Sequence, residues 1–169
     1  MYFISTRGGA PRASFADVLL AGLAPDGGLY LPESWPRLSP AEIAAFQGVP
    51  YRDVAFAILS RFTAGSFSDA ELKEAIAAAY AGFDAPEIAP LVEIGEGRFL
   101  LELFHGPTLA FKDVALQLLG LLCDWALTRS GKRATIVGAT SGDTGSAAIE
   151  GCRGRANLAI FIMFTDGRD

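Results

Sequence analysis

The sequence has few of the residues on which several kinds of site depend. It contains one histidine, His105, and two cysteines, Cys123 and Cys152, which have no C-x-x-C spacing and no neighbouring histidine. A multi-histidine metal site within this chain and a disulfide scaffold are therefore excluded, so we expect no metal. We interpret the two cysteines as unpaired thiols in a reducing cytosol, which predicts a cytoplasmic protein.

The chain also lacks basic clusters and long hydrophobic runs. Its net charge is −5 and its pI about 4.9, so we expect no nucleic-acid partner. The longest strongly apolar run, 114–123, is shorter than the roughly 20 residues that a bilayer span needs, and the first residues do not resemble a secretory signal. We therefore expect no membrane partner. A hydrophobic content of 51% excludes an intrinsically disordered chain.

Residues 1–87 are predicted to form a small, mainly helical N-terminal domain. A short strand at 2–6 precedes helices that are joined by turns rich in proline and glycine. Ser14, Ser39 and Ser68 each stand three residues before an Asp or Glu, which is the capping-box pattern of a helix start. Three helix N-termini are therefore predicted in this part of the chain.

Residues 88–169 change to a pattern typical of an α/β fold. A hairpin-like segment at 90–104 turns at Glu96-Gly97 and is followed by a long helix at about 110–130. Strands at 133–139 and 156–164 flank another helix, and their apolar runs predict a parallel sheet that is covered on both faces. Because two such strands would leave open sheet edges, we expect the chain to be part of a longer protein.

Lys112 is the one of three lysines whose surroundings suggest chemistry. On a helical wheel it lies with apolar residues and away from a polar stripe, which we take to be the wet face. The apolar residues are Leu116, Leu119 and Cys123, and the polar stripe is Asp113, Gln117 and Asp124. Burial lowers the pKa of a lysine, and a neutral amine is what Schiff-base chemistry requires. The alternative is a first-turn lysine whose stem packs while its ammonium reaches water.

A loop rich in glycine and hydroxyl residues, 138–148, lies between the predicted strand 133–139 and the next helix. Its backbone N–H groups can converge at a helix N-terminus to bind an anion or a carboxylate. The loop lacks the spacing of a P-loop or of a dinucleotide fingerprint, and Asp143 would repel a bare phosphate. The alternative is a tight turn with ordinary helix capping. His105 precedes the Lys112 helix and is either structural or part of a cleft near this lysine.

Three motifs, in order along essentially the whole chain, together resemble the threonine synthases. They are STRG at 5–8 with SFADVLLAGLAPDGGLYLPE at 14–33, FHGPTLAFKDVALQLLG at 104–120, and ATSGDTGSAA at 139–148. This family depends on pyridoxal 5'-phosphate (PLP) and has the tryptophan-synthase-β-like fold, fold type II of the PLP enzymes. The resemblance implies that residues 88–169 are the first part of an open, mostly parallel PLP-binding domain.

The resemblance also implies roles for single residues. Lys112 would form a Schiff base with PLP and act as the catalytic residue. The residues that would face the cofactor and substrate are Ser141, Gly142, Asp143, Thr144 and Gly145, and those that would shape the substrate pocket are His105, Thr108, Phe111 and Thr140. Many relatives of this fold have Asn where this chain has Asp143, and Asp is usual in one branch of threonine synthases. The family's glycine-rich phosphate cup has no counterpart in these 169 residues.

The implied reaction converts O-phospho-L-homoserine and water into L-threonine and phosphate. One alternative is a threonine-synthase-like phospholyase, which eliminates phosphate from the same or a similar substrate. Another is a non-catalytic anion- or nucleotide-binding α/β chain built on the loop 138–148. We expect these 169 residues alone to be inactive and to bind PLP weakly or not at all.

Overall fold

The computed structural model of the chain describes residues 1–140 and 142–164. Its backbone contacts separate two units, one that ends at Ile76 and one that begins at Ala77. The functional division at 87/88 stays a prediction. None of the helices in the described part of the chain combines the length and apolar character that a bilayer crossing requires.

The first unit has a small antiparallel sheet and most of the helices. Strand β1 (Tyr2–Ser5), which confirms the strand predicted at 2–6, lies between two shorter strands. These are β2 (Ala13–Ser14) and β3 (Tyr30–Pro32). The helices are α1 (Phe15–Ala21), α2 (Pro40–Ala44), α3 (Tyr51–Thr63) and α4 (Asp69–Ala79), the last of which continues past the boundary at Ile76.

The three predicted helix starts are confirmed, each with a complete capping box. At α2, the Glu42 amide donates to Ser39 Oγ at 3.2 Å, and the Ser39 amide donates to Glu42 Oε2 at 2.7 Å. The same reciprocal pair joins Ser14 to Asp17 and Ser68 to Glu71. The Ser39 amide and the Arg61 guanidinium, which both donate to the ionised carboxylate, lower the pKa of Glu42 to about 2.

The motif residues of the first unit meet at Asp26. Its carboxylate accepts hydrogen bonds from Ser5 Oγ at 2.7 Å and from the Gly9 and Gly28 amides at 2.8 and 3.0 Å. These donors lower the pKa of Asp26, the Ser5 hydroxyl most strongly. A Cβ at Gly28 would overlap Ser5 Oγ, so the close approach of these segments requires glycine. The STRG and PDGG sequences thus hold the turn after β1 against the turn before β3.

The second unit begins with a hairpin. Strands β4 (Leu91–Gly95) and β5 (Arg98–Leu101) pair antiparallel, as the sequence predicts. Gly97 occupies the left-handed conformation at φ +66°, which glycine adopts without strain.

An α/β arrangement follows and confirms the predicted fold class. The elements are α5 (Asp113–Ser130), β6 (Ala134–Ala139), α6 (Asp143–Cys152) and β7 (Leu158–Met163). Strands β6 and β7 pair in parallel, with Ala134 opposite Leu158 and Ala139 opposite Met163. Gly131, in the left-handed conformation, ends α5, which agrees with the helix predicted at about 110–130.

The cover predicted on both faces of this sheet is found on one face only within the described residues. Helices α5 and α6 pack on each other and on β7, so both lie on the same side of the sheet. Val137 and Phe161 keep 65% and 63% of their surface exposed. The apolar pattern of β6 and β7 reflects a face that these two helices do not cover.

Candidate active site

Helices α5 and α6 run side by side in the same direction. Gln117 Nε2 lies 3.4 Å from the Ala147 carbonyl oxygen, and one helical turn later Gly120 lies against Gly151. Because contacts advance together along both helices, their first residues lie at the same end of the pair. That end adjoins the carboxyl ends of β6 and β7, where open α/β sheets bind their ligands.

Two glycines allow this close helix contact. A Cβ at Gly120 would overlap the Gly151 carbonyl oxygen, and a Cβ at Gly151 would lie 2.5 Å from the Leu116 carbonyl oxygen. Side chains at either position would force the helices apart. The loop that precedes α6 and the turn that precedes α5 are therefore held at a distance that backbone contact determines.

Lys112 is the residue immediately before α5 and is half-buried. Its carbonyl oxygen accepts the Leu116 amide at 2.9 Å, while its Nζ lies 4.7 Å from the centre of the Phe111 ring. Among the described residues, no carboxylate lies within ion-pair distance of this amine. An amine at a helix start without an ionic partner is suited to bond a carbonyl group.

The placement of Asp113, Gln117 and Asp124 on the wet face of α5 is wrong. Asp113 is 0% exposed and Gln117 is 7% exposed, because Asp113 lies against the turn before α5 and Gln117 lies against α6. The polar groups are satisfied within the protein. Gln117 Nε2 donates to Asp113 Oδ1 at 2.9 Å, and Asp124 Oδ1 accepts the Asn157 amide at 2.8 Å.

The turn before Lys112 is fastened to Asp113. The Thr108 amide donates to Asp113 Oδ2 at 2.8 Å, and Thr108 Oγ1 lies 2.9 Å from both carboxylate oxygens. Gly106 makes room for this contact, since a Cβ there would lie 2.6 Å from Asp113 Oδ2. Leu109 has a left-handed backbone at φ 61°. Its side chain is 69% exposed, so burial of the leucine does not explain this conformation. Such strain in a non-glycine residue is typical of functional sites.

His105 has carboxylate partners on both ring nitrogens. Nδ1 lies 2.6 Å from Asp84 Oδ1, and Nε2 lies 2.8 Å from Glu102 Oε2. The Glu102 carboxylate first, and then Asp84, raise the pKa of His105 because both stabilise the imidazolium. The backbone takes part as well, since the Asp84 amide donates to the His105 carbonyl at 3.0 Å. In this arrangement His105 ties the segment after β5 to residue 84.

The loop before α6 presents residues of different exposure. Asp143 and Thr144 are exposed, and Thr140, whose amide donates to the Met163 carbonyl at 3.0 Å, is half-buried. Gly145 is buried, and a Cβ there would lie 2.9 Å from Thr140 Cγ2. Its lack of a side chain brings the first turn of α6 close to the strand ends. Ser141 lies outside the described residues.

The two cysteines lie in a separate apolar cleft of about 40 Å³ between α5, α6 and the sheet. Both are free thiols, and burial raises the pKa of Cys123 to about 11. The cleft is too small for a cofactor and has almost no polar lining, so it forms part of the packing.

Comparison with known proteins agrees with this arrangement. Residues 2–80 match the family described as threonine synthase N terminus. The chain is 55% identical over 168 residues to a threonine synthase of Pseudomonas aeruginosa, and 42% identical to that of Saccharomyces cerevisiae. These matches include 99% and 97% of this chain, but only 36% and 35% of the relatives.

Solved structures agree as well. The crystal structure of a PLP-bound threonine synthase from Brucella melitensis superposes with a TM-score of 0.95 at 53% identity, over 99% of this chain and 36% of that one. Threonine synthase from yeast gives a TM-score of 0.91 at 42% identity, over 98% and 36%. The chain spans about a third of the length of these relatives. Over that third, the sequence and the fold of this chain match the N-terminal portion of the threonine synthases.

Proposed function

We propose that this chain supplies the lysine and one wall of the active site of a PLP-dependent threonine synthase, a carbon–oxygen lyase. The reaction converts O-phospho-L-homoserine and water into L-threonine and phosphate. The observation that carries the proposal is the position of Lys112. It stands at the start of α5, level with the start of α6, and its amine has no ionic partner among the described residues.

We assign the cofactor contacts to two segments at the same end of the helix pair. Lys112 belongs to the first, and the second comprises Ser141, Gly142, Asp143, Thr144 and Gly145. The hydrogen bonds that hold the half-buried Thr108 to Asp113 support a rigid site, since a reacting amine must be held in one orientation. The exposed Asp143 and Thr144 support a surface that is open to a ligand.

When bound, PLP supplies an electron sink next to the substrate's amino group. The chain's own contribution is to bind, to orient and to move protons. Lys112 would hold PLP through its Nζ and, once the substrate is bound, this Nζ would move protons at Cα and at the neighbouring carbons. Phe111 and Thr140 border the substrate, and Thr108 and His105 hold the turn that carries the lysine.

The proposal also includes the domain boundaries of the active protein and the compartment in which it works. We propose that residues 1–87 form the N-terminal domain and 88–169 the first part of the PLP-binding domain. Since the chain spans about a third of the length of its relatives, these 169 residues alone should be inactive and should bind PLP weakly or not at all. We further propose that the protein works in the cytoplasm on a small phosphorylated amino acid, without nucleic-acid or membrane partners.

The test is covalent labelling of the natural full-length protein. Borohydride reduction in the presence of PLP, followed by peptide mass mapping, should add a pyridoxyl group to Lys112. Lys132 in the same unit and Lys73 in the first unit are matched internal controls that should stay unlabelled. A Lys112→Ala variant should lose the label and the visible absorbance, whereas Lys132→Ala should keep both. Labelling that survives Lys112→Ala would refute the assignment.

Product analysis separates the synthase from a phospholyase. With O-phospho-L-homoserine as substrate, a synthase forms L-threonine, whereas elimination without productive addition of water yields 2-oxobutyrate. Threonine as the main product supports the proposal. Mainly 2-oxobutyrate would transfer the same site to the phospholyase reaction.

A further inference from the structure

A hydrogen-bond chain through the buried Asp113 and Gln117 joins the two segments to which we assign the cofactor. It starts at Thr108, passes through Asp113 and Gln117, and ends at the Ala147 carbonyl oxygen on α6. The Thr108–Asp113 and Asp113–Gln117 links measure 2.9 Å, and the Gln117–Ala147 link measures 3.4 Å. Lys112 is covalently bonded to Asp113, and Ala147 is one helical turn from Asp143, so the chain spans the distance between the two segments.

The burial of this chain makes its geometry selective. Asp113 is fully buried, and its two carboxylate oxygens accept hydrogen bonds from three donor groups. These are the backbone amide of Thr108, the hydroxyl of Thr108 and the side-chain amide of Gln117. A buried carboxylate that lost one of these donors would be left poorly satisfied, so alternative positions of the turn are disfavoured. The left-handed Leu109 shows that the turn is held in a conformation that its own backbone does not favour.

We propose that Asp113 and Gln117 are positioning residues that fix Lys112 relative to the first turn of α6. Asp113 holds the turn that carries the lysine, and Gln117 transmits the position of α6 to Asp113. Neither side chain needs to touch the substrate. This inference rests on the proposed role of Lys112 as the residue that binds PLP.

Three variants of the natural full-length protein separate the links. Gln117→Met keeps the volume and removes the link to α6, while leaving Asp113 its two donors from Thr108. Thr108→Val removes one hydroxyl, and Thr108→Ser is the matched control that retains it. The measurements are the PLP dissociation constant, by absorbance titration of the cofactor-free protein, and amide hydrogen exchange without cofactor in peptides that contain Thr108 or Asp143.

If the chain positions the lysine, Gln117→Met and Thr108→Val should weaken PLP binding about tenfold or more, and Thr108→Ser should stay within about twofold. Without cofactor, Gln117→Met should speed exchange in both peptides at once. A lower unfolding temperature with unchanged PLP affinity and no joint change in exchange would reduce Asp113 and Gln117 to structural residues and overturn the inference.

The two proposals fail in different ways. If wild-type protein binds no PLP at Lys112, the proposed function fails, and with it the cofactor-positioning role, even where hydrogen exchange still shows the two segments to be coupled. If wild-type Lys112 is labelled but Gln117→Met and Thr108→Val bind PLP as wild type does, only the positioning inference fails.

Discussion

Replacing Gly120 by Ala tests the helix contact on which the candidate site depends. On helix propensity alone, Gly→Ala in a helix interior should stabilise the protein by about 1 kcal/mol. At Gly120, however, the new methyl group would overlap the Gly151 carbonyl oxygen and lie 2.7 Å from its carbonyl carbon. Two carbons normally approach to about 3.5–4.0 Å, so the helices must separate by roughly 1 Å.

The cost of this separation decides whether Gly120→Ala raises or lowers the free energy of unfolding. Overpacking of a tight contact costs about 1–3 kcal/mol. Separation also lengthens the bond from Gln117 to the Ala147 carbonyl, which is already 3.4 Å, and a lost hydrogen bond costs about 1 kcal/mol more. After the gain in propensity is subtracted, we expect Gly120→Ala to destabilise the second unit by about 1–3 kcal/mol.

The assay is thermal unfolding of the natural protein, with Gly82→Ala as the matched control. Gly82 lies outside the left-handed region, and a Cβ there would meet nothing within 4 Å, so the same substitution should be neutral or slightly stabilising. Gly120→Ala should lower Tm by about 2–4 °C for each kcal/mol lost. A Tm for Gly120→Ala equal to or above that of wild type would refute the described contact between α5 and α6.

Three further predictions concern single residues. The carboxylates of Glu102 and Asp84 raise the pKa of His105, so the stability that this histidine contributes should be complete below pH about 6.5 and should disappear as pH rises through the raised pKa. His105→Gln should therefore flatten the change in Tm over this pH range. A pH profile of Tm that is the same in the variant and in wild type would contradict the ion pairs. Ser39→Ala should cost about 0.5–2 kcal/mol as a lost helix cap. In wild type, the lowered pKa of Glu42 should add stability at neutral pH, and this stability should be lost as pH falls from about 4.5 towards 2. An acid titration that shows Glu42 at its ordinary pKa would contradict the capping box of Ser39 and Glu42. Leu109→Asn should relieve left-handed strain and raise stability by roughly 1 kcal/mol, whereas Leu109→Val should lower it; equal effects would show that the turn is unstrained.

Local signals predicted the elements of this fold well. Each capping box requires only a serine and an acidic residue three positions later, so Ser39 and Glu42 identify a helix start without knowledge of the rest of the chain. The turn at Gly97 and the end of α5 at Gly131 follow equally from the conformational freedom of glycine. These features depend only on residues that are close together in the sequence, so they can be predicted from the sequence alone.

The packing partners of a helix are not displayed in this way. The helical wheel correctly separates Lys112 from the polar stripe, but it assumes that a polar stripe faces water. Gln117 faces α6, where it reaches the Ala147 carbonyl, whereas Asp113 faces the turn that contains Thr108. The sequence does show a glycine in each of the two helices, Gly120 in α5 and Gly151 in α6. Their role in packing follows only once α6 is known to lie against α5, and a single sequence does not show that.

The position of Asp113 connects the polar stripe of α5 to Lys112, the lysine that we propose to bind PLP. A lysine at a helix start has four rotatable bonds, and its backbone has few restraints because the first turn lacks complete intrahelical hydrogen bonds. Asp113 supplies the missing restraint from inside the protein, where its bonds to Thr108 are shielded from water. A solvent-exposed carboxylate at the same position would exchange these donors for water and leave the turn free to move. The buried carboxylate next to Lys112 is therefore better understood as part of the apparatus that orients the lysine than as a core residue tolerated by chance.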